Sequence, residues 1–165
     1  MKVSIKPVEI EDADFFVKIM QNKEYKKHYL NRLLLKTKKQ AEDYIRGVKR
    51  EEEKGKVYCF TIYYGKEKAG ILDLYKINNK DKRSAIGYGV AYEFWGKGIA
   101  TKAVKLGLDF LKKKGLHTIE ATIDPKNEAS CKVLEKTGFE KIGTAKDYYF
   151  DKNKYVDRVL YWKIL

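Results

Sequence analysis

Two closely spaced glycines, Gly96 and Gly98, separate a strand-like segment from a strongly amphipathic helix. Apolar residues recur at helical spacing from Ala100 to Leu111, and the three lysines and Gly115 that follow are typical of a helix C-terminus. The glycines therefore precede the first helical turn, where backbone N–H groups have no intrahelical partner and the helix dipole is positive. A phosphate group can approach these N–H groups closely because glycine has no Cβ atom. The junction predicts an anion-binding site or, as the alternative, a tight turn.

Two common phosphate-binding motifs do not match this junction. The sequence has no Gly-x-x-x-x-Gly-Lys-[Ser/Thr] P-loop, and it lacks the third glycine and the downstream acidic residue of a Rossmann fingerprint. A second block further along the chain favours the anion-binding interpretation. It reads Asp-Pro-Lys-Asn-Glu-Ala-Ser over residues 124–130 and leads into a short helix that ends with Leu-Glu-Lys-Thr-Gly-Phe at residues 134–139.

These two blocks resemble the GNAT superfamily of acetyl-CoA-dependent N-acetyltransferases, and the resemblance is closest to the RimJ/RimL-type ribosomal-protein N-terminal acetyltransferases. The matching positions are residues 87–103, residues 127–139, and Tyr155, Asp157 and Tyr161. The C-terminal half of the chain matches closely, whereas the N-terminal half matches only in the order of its predicted elements. The resemblance implies an acyltransferase that uses acetyl-CoA as its cosubstrate.

The pattern of apolar residues predicts an α/β (α+β) chain with a mixed sheet and about four helices. The predicted strands are residues 2–5, 57–64, 69–77, 85–91, 118–123, 139–150 and 155–165, and the predicted helices are residues 11–22, 37–55, 100–111 and a short segment after Asn127. The strand–helix–strand connection makes the fourth and fifth strands parallel neighbours, and the chain length predicts one N-acetyltransferase domain over residues 1–165. In the GNAT fold that the resemblance implies, these two strands splay apart and the pantetheine arm lies in the gap.

The resemblance also implies which residues bind acetyl-CoA. The backbones of Gly89 and Val90 would pair with the pantetheine amides, and one N–H group there would polarise the thioester carbonyl. Asn127 would hydrogen-bond the pantetheine arm, with Ser130 one turn further along. The pyrophosphate would be wrapped by the backbone of Trp95, Gly96, Lys97, Gly98, Ile99, Ala100 and Thr101. From the residues alone, Lys97 is equally a solvated lysine, Asn127 an N-cap and Ser130 a small residue at a helix contact.

Two residues are candidates for proton transfer. Glu120 lies on the polar face of the fifth predicted strand and is the candidate general base, since some members of the superfamily carry their base there; its alternative is an ion pair with a surface lysine. Tyr88, beside the expected thioester gap, is the second candidate, with core packing as its alternative. Many GNAT enzymes have a tyrosine that reprotonates the leaving thiolate, but this chain has Leu134 at that position. No spacing of residues predicts a metal site.

Charge and composition place the protein in a broad class. The chain has 36 Lys and Arg residues against 23 Asp and Glu residues, a formal net charge of +13. Such a field attracts polyanions such as CoA or ribosomal RNA; the alternative is that the excess is a general property of a solvated, lysine-rich surface. The apolar runs are too short for a membrane span, and the first residues lack the apolar segment of a secretory signal. Cys59 and Cys131 do not form a disulfide framework. We expect a cytoplasmic protein without membrane contact, a monomer or a homodimer, with association with the ribosome implied by the resemblance.

The expected reaction is direct transfer of an acetyl group from acetyl-CoA to a primary amine. An unperturbed α-amine has a pKa of about 7.7–8.0 and a lysine side chain about 10.4, so an N-terminal amine needs less help to become the neutral nucleophile. With one candidate base in the sequence, we predict a protein N-terminal α-amine as the acceptor. Two alternatives stay open: an acetyltransferase for small amines such as polyamines or aminoglycosides, and a non-catalytic basic module of the same fold that binds RNA or the ribosome.

Overall fold

Seven strands form one mixed sheet in the computed structural model, which describes residues 1–165. The strands are β1 (Val3–Pro7), β2 (Tyr58–Tyr64), β3 (Glu67–Asn78), β4 (Arg83–Val90), β5 (Thr118–Ile123), β6 (Glu140–Asp151) and β7 (Lys154–Ile164). Their order across the sheet is β1-β2-β3-β4-β5-β7-β6, and only β4 and β5 are parallel neighbours. The predicted fold class, a mixed sheet with its parallel pair at the fourth and fifth strands, is confirmed.

Five helices accompany the sheet, which is one more than the sequence predicted. They are α1 (Ala13–Gln21), α2 (Lys23–Lys26), α3 (Lys38–Glu53), α4 (Ile99–Lys113) and α5 (Glu128–Lys136). The extra helix, α2, is a single turn that starts where the side chain of Asn22 accepts hydrogen bonds from the backbone N–H groups of Glu24 and Tyr25. This cap ends α1 and turns the chain into a new direction.

The two faces of the sheet are covered by different helices. On one face, α4 packs so closely that a Cβ atom at Gly107 would lie 2.9 Å from Cδ2 of Leu72. The apolar stripe predicted for this helix is buried there, and Gly115 ends the helix with a φ of +76°. On the other face, the hydroxyl of Tyr44 in α3 donates to Asp73 in β3. Because side chains alternate along a strand, Leu72 and Asp73 point to opposite faces.

The parallel pairing of β4 and β5 is short. It runs from the Arg83–Thr118 pair to the Ala85–Glu120 pair and stops there, although β4 continues to pair with β3 as far as Val90. Beyond Ala85 and Glu120 the facing edges of the two strands are therefore free. This is the gap that the resemblance implied for the GNAT fold.

None of the helices combines the length and the apolar composition that a membrane crossing requires. Both cysteines are free thiols, and Cys59 is buried.

Candidate active site

A cavity of about 1410 Å³ follows the gap between β4 and β5. Its lining includes residues 86–90 of β4, the N-terminus of α4 and the first turn of α5. The same cavity reaches three tyrosines from the other face of the sheet, Tyr25, Tyr29 and Tyr44. The two faces of the sheet therefore open into one space where β4 and β5 separate.

The loop before α4 presents a row of unused backbone donors. We call residues 96–101 the glycine loop; Gly96 and Gly98 adopt φ angles of +74° and +70°, which favour glycine. None of the six backbone N–H groups from Gly96 to Thr101 donates a hydrogen bond within the protein, and Gly98 supplies no side-chain cap. A Cβ atom at either glycine would meet nothing within 4 Å. The N-terminus of α4 is thus an open, positively polarised site of the kind that binds anions.

Trp95 fixes the position of this loop against the sheet. Its indole Nε1 donates a hydrogen bond of 2.7 Å to the backbone carbonyl of Val90, and its ring packs edge-on against Tyr92 with 5.0 Å between centroids. The sequence drew attention only to the backbone of Trp95. The structure adds a role for its side chain: the indole ring links the start of the glycine loop to the end of β4.

The free edge of β4 changes one prediction about the backbone. The backbone N–H of Ala91 donates to the carbonyl of Ala69 in β3. In an antiparallel pair, successive residues of a strand direct their N–H and C=O groups alternately towards the partner strand and away from it. The N–H and C=O groups of Gly89 therefore face β3, whereas those of Tyr88 and Val90 face the gap. Gly89 was predicted to offer its backbone to a ligand in the gap, and the strand register assigns that position to its neighbours instead.

Gly89 has a different structural role. A Cβ atom at Gly89 would lie 2.7 Å from Cζ of Tyr25, so the absence of a side chain leaves room for the tyrosine ring.

Tyr88, Asn127 and Ser130 lie together where β4 meets α5. The hydroxyl of Tyr88 donates to the backbone carbonyl of Ser130 at 3.0 Å, and burial raises the pKa of Tyr88, which keeps the phenol neutral. The side-chain oxygen of Asn127 accepts a hydrogen bond of 3.1 Å from the backbone N–H of Ser130 and caps α5. The side-chain N–H₂ group of Asn127 makes no hydrogen bond within the protein and is free to contact a ligand.

The lysines that line the cavity come from α5 and the turn before it and not from the glycine loop, and the lining also contains Arg32, Arg50 and Arg158. The ammonium group of Lys97 donates to the carbonyl of Glu93 at 3.1 Å and lies over the ring of Phe94, and Lys97 does not line the cavity. The lining lysines are Lys126, Lys132 and Lys136. Sequence reasoning missed them, although Lys132 and Lys136 are four residues apart and so share one face of the helix.

Glu120 lies at the edge of this site. Its carboxylate forms an ion pair of 2.9 Å with Lys76, and although burial opposes it, this hydrogen bond raises the pKa of Lys76 above its ordinary value. Glu120 does not line the cavity. The alternative interpretation, a carboxylate paired with a lysine, matches this arrangement, and a role for Glu120 as the base stays a prediction.

A second carboxylate, Asp73, lies inside the cavity among tyrosines. It accepts a hydrogen bond of 3.1 Å from the hydroxyl of Tyr44, and no lysine, arginine or histidine forms an ion pair with it. Tyr25 and Tyr29, whose hydroxyls are 3.0 Å apart, stack beside it in the lining. Burial raises the pKa of Asp73. We call Asp73 and these three tyrosines the tyrosine pocket.

Sequence reasoning missed Asp73. The available signal was a carboxylate in the middle of the apolar run 71–75, where a charged group is costly unless it has a function or a partner.

One further bridge crosses the cavity wall. Nδ1 of His28, which follows α2, lies 3.0 Å from a carboxylate oxygen of Asp124 at the end of β5. Burial opposes ionisation of Asp124, but hydrogen bonds from the backbone of Lys126 and from His28 lower its pKa overall. Since His28 and Asp124 both line the cavity, the bridge joins the α2 side of the cavity to the β5 side.

Comparison with known proteins identifies the class of protein that this fold and cavity define. The family model described as the acetyltransferase (GNAT) domain matches residues 2–140. The match covers most of the chain, which therefore belongs to the GNAT acetyltransferase family and is an N-acetyltransferase of the GNAT type.

Three relatives illustrate the range of the family around this chain. The "Uncharacterized N-acetyltransferase p20" of Bacillus licheniformis is 30% identical over 159 residues, which cover 94% of this chain and 89% of the relative. The spermidine N(1)-acetyltransferase of Escherichia coli (strain K12) is 24% identical over 154 residues, 93% of this chain and 81% of the relative. The structure of RimJ from Mycobacterium smegmatis in complex with CoA-disulfide superposes with a TM-score of 0.90 at 27% identity, covering 98% of this chain and 81% of that one. The resemblance to RimJ/RimL-type enzymes is confirmed.

Proposed function

We propose that the protein transfers the acetyl group of acetyl-CoA directly to a protein N-terminal α-amine, with residues 1–165 acting as one catalytic domain. The observation that carries the donor half of this proposal is the row of six unused backbone N–H groups in the glycine loop, beside the free edge of β4. A pyrophosphate has the charge and the acceptor oxygens that such a row accommodates.

The donor would follow the open edge of β4 into the gap. Its pyrophosphate would accept hydrogen bonds from the glycine loop, and its pantetheine amides would pair with the backbone of Tyr88 and the N–H of Val90 as an added strand would, since the Val90 carbonyl already accepts from Trp95. Asn127 would contribute its free side-chain N–H₂ group, and Lys132 and Lys136 of α5 supply the positive charge that Lys97 does not. The CoA-disulfide held by the RimJ relative supports this choice of ligand.

The chemistry requires a neutral amine and a stabilised oxyanion. The amine nitrogen attacks the thioester carbonyl carbon, and a backbone N–H group at the free edge of β4 donates to the carbonyl oxygen as negative charge develops there. The C–S bond then breaks, and CoA leaves as a thiolate. Tyr88 carries a neutral hydroxyl where β4 lines the gap, and its raised pKa suits a group that donates a hydrogen bond without ionising.

The α-amine is proposed as the acceptor for an energetic reason and by resemblance. Its pKa lies about 2.5 units below that of lysine, a difference of about 3.5 kcal/mol that the site need not supply. The RimJ/RimL-type resemblance points to N-termini of ribosomal proteins, and the net charge of +13 supports an encounter with the ribosome in the cytoplasm.

A second candidate acceptor is a small polyamine. The carboxylate of Asp73 has no positive partner in the protein, so it attracts an ammonium group, and one relative is a spermidine acetyltransferase. This candidate shares the donor site and differs only in what reaches the tyrosine pocket.

An acceptor screen that measures free thiol release from acetyl-CoA tests these possibilities. We expect turnover of peptides that begin with a free Ser or Ala, and none of N-terminally blocked copies that contain an internal lysine. Equal turnover of free and blocked peptides, or activity confined to spermidine, would contradict the N-terminal acceptor and favour the second candidate. If no amine causes thiol release from acetyl-CoA and the protein binds RNA tightly, a non-catalytic basic module would be favoured.

A further inference from the structure

We propose that Asp73 receives the acceptor: its carboxylate binds the ammonium group of the incoming amine and takes up the proton that must leave before acetyl transfer. This inference rests on the proposed acetyl transfer and names a catalytic residue on β3, one strand away from the free edge of β4.

The strand register places Asp73 next to the gap without an intervening side chain. Asp73 is the direct cross-strand partner of Gly87 in β4, and paired residues in a sheet point to the same face. Neighbouring strands lie about 4.8 Å apart, and Gly87 carries no side chain that separates the carboxylate from the edge where the thioester is proposed to lie. Gly89, two residues further on, also lacks a side chain, and the ring of Tyr25 packs against it. This face of β4 is therefore open towards Asp73.

The surroundings of Asp73 suit a positively charged amine. The pocket contains aromatic rings and neutral hydroxyls, and a cation over such rings is attracted to their faces. A half-buried carboxylate without a positively charged partner is unfavourable, and an ammonium group would supply the missing charge. The Tyr44 hydroxyl donates to the carboxylate, and the thiol of Cys59, the cross-strand partner of Asp73 in β2, is a second neutral hydrogen-bond partner. These contacts fix the orientation of the carboxylate and leave its negative charge unpaired.

The ionisable groups that face Asp73 come from each element packed around it. They are Tyr25 from α2, Tyr29 from the turn after it, Tyr44 from α3, Cys59 from β2 and Tyr75 from β3. Burial raises the pKa of each of these groups, so all five are neutral around pH 7. The pKa of the Asp73 carboxyl is itself raised by burial, which makes it a stronger base than an exposed aspartate.

The proton and bond changes balance with no further reactant. The ammonium group transfers one proton to Asp73, and the lone pair that this frees forms a C–N bond with the thioester carbon. The C–S bond breaks, and the sulfur leaves with the bonding electrons as a thiolate. The nitrogen gives its second proton to that thiolate, which yields an amide and a thiol, and Asp73 then returns its proton to solvent.

Replacement of the carboxylate by its neutral isostere tests the inference. With the acceptor that the wild-type protein acetylates fastest, we expect Asp73→Asn to lower kcat/KM by roughly 10²–10⁴-fold while calorimetry shows the same affinity for CoA. In the wild type, kcat/KM should fall at acidic pH as Asp73 becomes protonated. In Asp73→Asn only neutral amine can react, so this decline should move to the pKa of the acceptor amine itself.

The matched control is Asp109→Asn, the same change at an exposed position of α4 that makes no ion pair or hydrogen bond. It should retain the wild-type rate and pH profile. A loss of less than about threefold in Asp73→Asn, or an unchanged pH profile, would overturn the role of Asp73, and a loss of 10²-fold or more in Glu120→Gln in the same series would assign the base to β5 instead. Absence of thiol release from the wild-type protein with every amine would contradict the proposed function as well, so the two failures are distinguishable.

Discussion

The two regions of the cavity are built in different ways. The glycine loop presents unused backbone N–H groups from six consecutive residues, and none of its side chains is needed for the proposed anion site. The tyrosine pocket presents side chains from α2, the turn after it, α3 and β3, and its residues are separated by up to 48 positions in the chain. A loop made of consecutive residues is defined by local conformation, whereas the pocket exists only after the sheet and helices have packed.

This difference predicts different sensitivities to mutation. The glycine loop depends on backbone angles and on the absence of Cβ atoms, so added bulk should damage it and changes of charge nearby should matter less. The tyrosine pocket depends on one carboxylate in a cation-free environment, so loss of charge should damage it. Donor binding and acceptor use should therefore respond to separate substitutions.

The largest effect on donor binding is expected from Gly98→Val. A Cβ atom there meets no protein atom within 4 Å and would project into the space where the pyrophosphate is proposed to lie. We expect calorimetry to show at least tenfold weaker CoA binding, which corresponds to about 1.4 kcal/mol.

Gly115→Val is the matched control for this change. Gly115 lies at the other end of α4 with a φ of +76° and equally open surroundings, so valine there introduces a similar backbone strain. Similar losses of thermal stability with unchanged CoA affinity in Gly115→Val would isolate the effect of the anion site. Unchanged CoA affinity in a folded Gly98→Val protein would contradict the proposed donor site.

A smaller effect, confined to the acceptor, is expected from Gly87→Ala. The new methyl group would lie 3.6 Å from Cε1 of Tyr75, an ordinary contact, so the fold should tolerate it. It would also stand between Asp73 and the gap, and one added carbon in a fitted pocket costs about 1–3 kcal/mol. Steady-state kinetics should show kcat/KM for the amine reduced about tenfold, with KM for acetyl-CoA unchanged. A change in the KM for acetyl-CoA alone would contradict the claim that donor binding and acceptor use depend on separate regions of the cavity.

The smallest expected effect concerns stability and its dependence on pH. Because the pKa of Asp73 is raised in the folded protein, the folded state binds more protons than the unfolded state from about pH 3.9 up to that raised pKa, and stability falls as pH rises through this window. Asp73→Asn lacks this penalty, and it should melt about 2–4 °C higher than the wild type at pH 8, the shift that 1 kcal/mol produces in a chain of this size.

The melting difference should shrink towards zero as the pH is lowered to about 3, below the pKa of the carboxyl in both states, because there the wild-type carboxyl is protonated whether the chain is folded or unfolded. The exposed Asp109→Asn change should produce no such trend. A lower melting temperature for Asp73→Asn at pH 8 would mean that the carboxylate stabilises the fold. That result would contradict the proposal that this carboxylate is kept without a positive partner, at a cost in stability, in order to bind an amine.

Much of the fold was predictable from the sequence. The stripe on α4, the glycine at its end and the alternation in β5 all follow from periodicities of 3.6 and 2 residues, and the structure has these elements where the sequence predicts them. The short helix α2 was missed because its cap, Asn22, also fits the end of α1. The lysines of α5 were missed because a charged helix face is usually only a solvated one.

The prediction for Gly89 shows where sequence reasoning ends. Which backbone groups of β4 face the gap depends on the hydrogen-bond register with β3, and a shift of one residue exchanges the two edges of the strand. No local pattern in the sequence contains that register. The same holds for Trp95, whose hydrogen bond to Val90 depends on how the loop returns to the strand.

The sequence by itself determined the family, the order of the elements and the glycine loop with its unused N–H groups at the start of α4, because these depend on residues close together in the chain and on backbone groups that every residue carries. Only the tertiary structure decided which carboxylate lies in the cavity. Glu120 and Asp73 are both carboxylates within strands, but the strand pairing and helix packing bring Lys76 to one and three tyrosines to the other. The electrostatic state of a carboxylate depends on the groups within a few ångströms, and those groups come from distant parts of the chain.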